Sequence, residues 1–205
     1  MPGVLLTLNA GSSSLKFAVF EAADRLRRTV QGEIENTGTG LHFRAADLAG
    51  TVLGEWRRPA GGGYDDLLGE LLGWIEAHLG KDGLLAVGHR VVHGGPDYDR
   101  PQRITPALIA ALDRLTPLAP LHQPHNLAPI RAIAAVRPGL PQIACVDTAI
   151  HNDMPRVATR FALPREYEAQ GVRRYGFHGF DSQGSARRDR DICGCRMFGG
   201  TALDT

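Results

Sequence analysis

The sequence predicts an α/β fold with a mixed sheet. Three observations point there. Short strand-like runs open the chain, helical and strand segments alternate after them, and polar residues cluster where the strands end. With 205 residues, 43% of them hydrophobic and 22% charged, the chain has ordinary globular composition and is long enough to bury a core.

Val4 to Leu8 is an apolar run that stops at Asn9-Ala10-Gly11-Ser12-Ser13-Ser14. Leu15 to Phe20 follows, with Leu15, Phe17 and Val19 on one face and Lys16 and Ala18 on the other. Two strands joined by a turn of small residues are expected. Leu26 to Ile34, His42 to Arg44 and Thr51 to Trp56 read as further strands separated by Gly- and Asn-containing turns. Residues 59–63 read as a loop leading into a helix from Tyr64 to Leu79, where Leu67, Leu68, Leu71, Leu72, Ile75 and Leu79 recur at helical spacing. Asp65 and Asp66 suit its first turn and Gly80 its stop. Leu84 to Val92 reads as a buried strand, and Pro106 to Leu115 as a helix capped by Thr105. Asn126 to Val136 reads as a second helix of this type, and Ile143 to Val146 as a buried strand ending at Asp147. After Gly179 neither the 3.6 nor the 2.0 period persists.

Charge and cysteine content exclude several functions. Lys and Arg total 23 against 22 Asp and Glu, which points to a small-molecule partner, with no nucleic acid and no membrane surface. Three cysteines give no disulfide framework; Cys145 reads as a core residue, and Cys193 with Cys195 lacks the second ligand pair of a zinc site. The amino terminus has no basic region of a signal peptide, and no apolar stretch approaches the ~20 residues that span a bilayer. A cytoplasmic location is expected.

Five segments carry chemistry. Residues 9–16 combine small residues, which let backbone N–H groups approach phosphate oxygens, with hydroxyls on Ser12 and Ser14 and the compact charge of Lys16. A Ser-rich hairpin turn is the alternative, and the G-x-x-x-x-G-K-S/T spacing is absent. In Gly88-His89-Arg90-Val91-Val92-His93-Gly94-Gly95, an Arg at the end of a buried strand requires an anionic partner, either a ligand or a protein Asp. The paired glycines permit close approach of a ligand. Residues 117–126, PLAPLHQPHN, read as an ordered loop without regular structure that carries two histidines. Val146-Asp147-Thr148-Ala149-Ile150-His151 places a carboxylate at a strand end, and residues 173–179, RRYGFHG, set an aromatic ring and an imidazole between glycines. Each of these three has a plainer reading as a cap, a solvated charge or a core aromatic.

Taken in order, NAGSSSLKF, GHRVVHGG, PLAPLHQPHN, VDTAIH and RRYGFHG resemble the signature of the acetate kinase (acetokinase) family over residues 1–179. The resemblance implies an actin-like, sugar-kinase-like (ribonuclease H-like) duplicated domain, with its active site between two lobes. Residues 1–150 would form the first lobe, and residues 151–205 an incomplete start of the second with an aberrant tail from about 180. It implies reversible phosphoryl transfer from ATP to acetate, giving acetyl phosphate and ADP, with Mg²⁺ as cofactor and a homodimeric assembly.

Carried over by position, the resemblance makes Asn9 the magnesium-associated residue and Lys16, with Ser12 and Ser14, the nucleotide contacts. Arg90 becomes the substrate-binding arginine, with Val92, Leu121 and Phe177 as the acyl pocket and His122 as a supporting histidine. Asp147 and His178 become the catalytic pair. A carboxylate nucleophile is already ionised near pH 7 and needs no general base, so Asp147 is better suited to holding magnesium or its water. The Gly-Asn-Gly phosphate loop, a second active-site arginine, the adenosine motif and a distal glutamate of the family are not recognisable after residue 179. The expectation is therefore that the 205-residue chain is itself inactive. A non-catalytic carboxylate-binding fragment and a propionate or butyrate kinase are the alternatives.

Overall fold

The computed structural model describes residues 3–59, 64–79, 83–151 and 154–176. Five antiparallel strands open the chain: β1 (Val4–Ala10), β2 (Ser14–Glu21), β3 (Arg27–Asn36), β4 (Gly40–Asp47) and β5 (Val52–Pro59). Helix α1 (Tyr64–Leu79) leads to β6 (Leu84–Val91), which returns parallel to β1. After the two-residue β7 (Gln102–Arg103), α2 (Pro106–Asp113) and α3 (Gln123–Val136) precede β8 (Gln142–Val146), parallel to β6. The sheet order is β5-β4-β3-β2-β1-β6-β8-β7, so the expected mixed sheet forms. Two short helices follow it, α4 (Arg156–Thr159) and α5 (Arg165–Ala169).

Alternation of apolar residues decides which face is covered. Val4, Leu6, Leu8 and Ala10 of β1 join Leu15, Phe17 and Val19 of β2 in one buried cluster with Leu68, Leu71, Leu72 and Ile75 of α1 and Ala132 and Ile133 of α3. A second cluster joins Val91, Ala144 and Val146 to Leu108 and Leu112 of α2 and Leu127 and Ile130 of α3. Helices α1, α2 and α3 therefore seal one face. Thr105 accepts a hydrogen bond from the Leu108 N–H at 3.1 Å and caps α2, as its sequence position predicts.

Several expectations need correction. The second face of β2 is covered as well as the first, since Ala18 and Phe20 are buried and Lys16 is the exposed residue of the strand. The proline-rich segment is not without regular structure: Thr116–Leu118 forms a 3-10 turn, and α3 begins at Gln123 with Pro124 in its first turn. The fixed φ of proline and its missing N–H suit that position, so the ring starts the helix. Gly80 and the aberrant tail from about 180 lie outside the described residues.

Deep in the sheet, His89 is 1% exposed and its Nε2 donates to Gln142 Oε1 at 2.7 Å, while the Gln142 amide donates to Ile130 O. Its Nδ1 is buried without a partner among the described residues. Burial pushes the His89 pKa down from 6.5 to about 4. The folded state thus binds fewer protons than the unfolded one, and the contribution of this group is complete above pH 6.5 and declines as pH falls through 4. We expect the stability advantage of the wild type over His89→Gln in urea unfolding to shrink by up to about 3 kcal/mol between pH 7 and pH 4. A difference independent of pH would contradict a neutral imidazole here.

Candidate active site

The parallel strands β1, β6 and β8 are neighbours, and their carboxyl ends bring three separated motifs together. Asn9 lies near the end of β1, Arg90 near the end of β6, and Asp147 opens the 3-10 turn that follows β8. Ligands of open α/β sheets bind outside such strand ends. Register and alternation fix the face. Asn9 pairs with Lys16 across β1 and β2, Leu8 pairs with His89, and Arg90 with Cys145. Asn9, Lys16 and Arg90 therefore share the face opposite the α1–α3 core.

Arg90 Nε donates to both oxygens of Asp147 at 3.1 Å, and Nη2 donates to Oδ2 at 2.6 Å. Nη1 reaches Asn9 Oδ1 at 3.4 Å. The Asp147 side chain is 1% exposed and that of Arg90 18%, so the pair sits at the boundary between interior and solvent. The anionic partner that the sequence requires for Arg90 is thus Asp147, contributed by another of the five motifs. One edge of a planar guanidinium is spent on orientation, which fixes its direction toward the strand ends.

A polar scaffold that sequence reasoning missed holds these ends in place. Asn126, in the first turn of α3, accepts from the Val92 N–H at 2.9 Å and donates to Ala10 O at 2.7 Å. A single buried amide thus ties the end of β1 to the end of β6. Gln123 Nε2 donates to His93 O and Leu112 O, both at 3.0 Å, and the Gly94 N–H donates to Thr148 Oγ1 at 3.0 Å. The signal available in the sequence was Pro124, which marks a helix start and would have turned the polar residues beside it inward.

The glycines after β6 serve the protein's own packing. A Cβ on Gly94 would lie 2.8 Å from Val146 Cγ2, and Gly95 has φ +66°. The Gly95 N–H donates to His93 Nδ1 at 2.9 Å, which leaves the ring proton of the neutral imidazole on Nε2. Burial lowers the His93 pKa and keeps that neutral form. The Tyr175 ring packs edge-to-face on His93 with centroids 4.5 Å apart, which brings Tyr175 beside the end of β6. Desolvation raises the Tyr175 pKa.

The remaining site residues are spread around this cluster. Gly11 N–H donates to Ser14 O, so the first motif does form a hairpin turn, with Ser12 exposed, Ser14 half-buried and Lys16 beside Asn9. Val92 is half-buried next to Asn126. Leu121 is 74% exposed, and His122 is exposed at the start of α3, where its side chain makes no capping hydrogen bond. The structure does not bring these two into contact with Arg90 or Asp147. Phe177 and His178 lie outside the described residues. No cluster of three His, Cys, Asp or Glu residues that could hold a metal occurs among the described residues. No described helix is long and apolar enough to cross a membrane.

Comparison with known proteins points to one family. The sequence model of the acetokinase family matches residues 4–194. An acetate kinase of Rhodopseudomonas palustris is 50% identical over 208 residues, covering 99% of this chain and 52% of the relative. One from Deinococcus radiodurans is 45% identical, covering 85% of this chain and 43% of the relative. Among solved structures, the acetate kinase of Porphyromonas gingivalis superposes with a TM-score of 0.77 at 34% identity, over 90% of this chain and 48% of that one. A propionate kinase from Francisella tularensis gives 0.77 at 29% identity, over 88% and 46%. The chain spans about half the length of the relatives it matches.

Proposed function

The chain belongs to the acetokinase family, and on that premise we propose that the protein moves a phosphoryl group reversibly between ATP and acetate, giving acetyl phosphate and ADP. The observation that carries this reading is the meeting of Asn9, Arg90 and Asp147 at the ends of three adjacent parallel strands. Phosphoryl transfer asks little covalent chemistry of the protein; positioning and neutralisation of charge supply the rate. Arg90 binds the carboxylate and steadies the oxygens of the phosphoryl group, and Asp147 holds the guanidinium in direction. Lys16, beside the Ser12–Ser14 turn, receives the nucleotide phosphates. By position in the family, Val92, Leu121 and Phe177 are assigned to the acyl pocket, His122 to a supporting role and His178 to stabilising the transition state.

Asn9 and Asp147 are the residues that would hold magnesium, through side-chain oxygens that here accept hydrogen bonds from Arg90, and nucleotide phosphate oxygens would be its other partners. When bound, the ion would neutralise charge on the transferred group. A homodimer and a cytoplasmic setting belong to the same proposal, and light scattering of the purified protein tests the first.

Binding and turnover are tested separately. Saturable acetate binding by the 205-residue chain, followed by ¹³C NMR, supports the carboxylate site, and acetyl hydroxamate formed with ATP and Mg²⁺ extends the reading to catalysis. Acetate binding without hydroxamate is the outcome expected of a non-catalytic, carboxylate-binding chain. A folded chain that binds no acetate would sink the proposal. A propionate kinase is the other reading, favoured by the likeness to the Francisella protein and by the exposure of Leu121. One methylene discriminates by only about 1–3 kcal/mol, so acetate, propionate and butyrate are to be compared side by side.

A further inference from the structure

The segment after the sheet, residues 154–176, carries five arginines, Arg156, Arg160, Arg165, Arg173 and Arg174, against two glutamates. Three of these arginines turn to one carboxylate: Arg156, Arg160 and Arg165 lie 2.7, 2.8 and 3.7 Å from Glu168. Arg160 foremost, with Arg156, holds the Glu168 pKa down to about 2. One negative charge thus answers three positive ones. Between α4 and α5 lies a cleft of about 310 Å³ whose lining includes Arg156, Thr159, Glu168, Val172 and Arg173. The Nε of Arg173 is buried and has no hydrogen-bond acceptor among the described residues. Its guanidinium lies over the Tyr175 ring, 5.1 Å from the centroid.

A buried guanidinium N–H without an acceptor among the described residues, in a cleft that Arg156 also lines, calls for an anion. Glu168 shows that the geometry suits an oxyanion, since its own carboxylate occupies the neighbouring arginines. We propose that the cleft between α4 and α5 binds a compact oxyanion of the phosphate class, gripped by Arg173 and Arg156, with Glu168 as the internal carboxylate that competes for them. The site lies one aromatic ring away from the strand-end cluster, because Tyr175 separates Arg173 from His93. It is a different site from the one that Arg90 serves.

The test is calorimetric titration of the purified 205-residue chain with inorganic phosphate and, separately, with ADP, at constant ionic strength. Saturable phosphate binding is expected, weakened about tenfold or more by Arg173→Met, in line with the loss of a charge-assisted bidentate partner. Glu168→Gln is expected to tighten it, a gain that damaged folding cannot produce. Tighter binding of ADP than of phosphate at this cleft would assign it to a nucleotide phosphate, and equal or weaker binding to the free ion. The double variant Arg90→Met with Asp147→Asn leaves binding here unchanged. Absence of saturation, or binding by Arg173→Met equal to that of the wild type, overturns the proposal. If the double variant abolishes phosphate binding while Arg173→Met retains it, the cleft is excluded and the reading of the strand-end site stands.

Discussion

Replacing Arg90 by Met is expected to lower the unfolding free energy by roughly 3–5 kcal/mol, because it removes the cation with which the interior carboxylate of Asp147 is paired. That side chain is 1% exposed, and Arg90 supplies three hydrogen bonds to it. Removing both charges tells a different story. With Asp147→Asn added to Arg90→Met, no ion is left buried, and most of the loss is expected to return. The coupling between the two positions in a double-mutant cycle measures it, and is expected to be at least about 2 kcal/mol. Additive losses measured by urea denaturation would mean that the two side chains do not depend on each other in solution.

The second large effect is expected at Asn126. Asn126→Leu leaves the Val92 N–H and Ala10 O buried without partners, at about 1–3 kcal/mol for each group. The ends of β1 and β6 are then no longer tied, so Asn9 and Arg90 lose their relative placement. Acetate affinity should fall even under conditions where the variant remains folded. Unaltered acetate binding in a destabilised Asn126→Leu would show that the tie serves folding alone.

Most of the sheet was legible because its strands are long and its apolar residues regular. β1, β2, α1 and β6 were placed to within a residue or two by Leu6, Leu8, Phe17, Leu68 and Leu71, which recur at the period of their element. β7 was not legible, since two residues carry no period, and neither were α4 and α5, which span four and five residues. Of the site, Arg90 and Asp147 stood out because a charge at the end of an apolar strand needs a reason. That each is the other's partner depends on the adjacency of β6 and β8, a tertiary fact that local pattern does not contain. Asn126 and Gln123 were hidden in the same way: a polar residue in a helix's first turn looks solvated until the strand ends it serves are known. The glycines after β6 were read as room for a ligand, whereas the Val146 side chain takes that room at Gly94.

The central claim is that the strand-end cluster of Asn9, Arg90 and Asp147 takes a small carboxylate. Its most direct test is ¹³C-acetate titration of the 205-residue chain against the double variant Arg90→Met with Asp147→Asn, which removes the guanidinium without burying an unpaired charge. The account predicts saturable binding to the wild type and its loss, by about tenfold or more, in the double variant. Equal acetate affinity in the two folded proteins would contradict it.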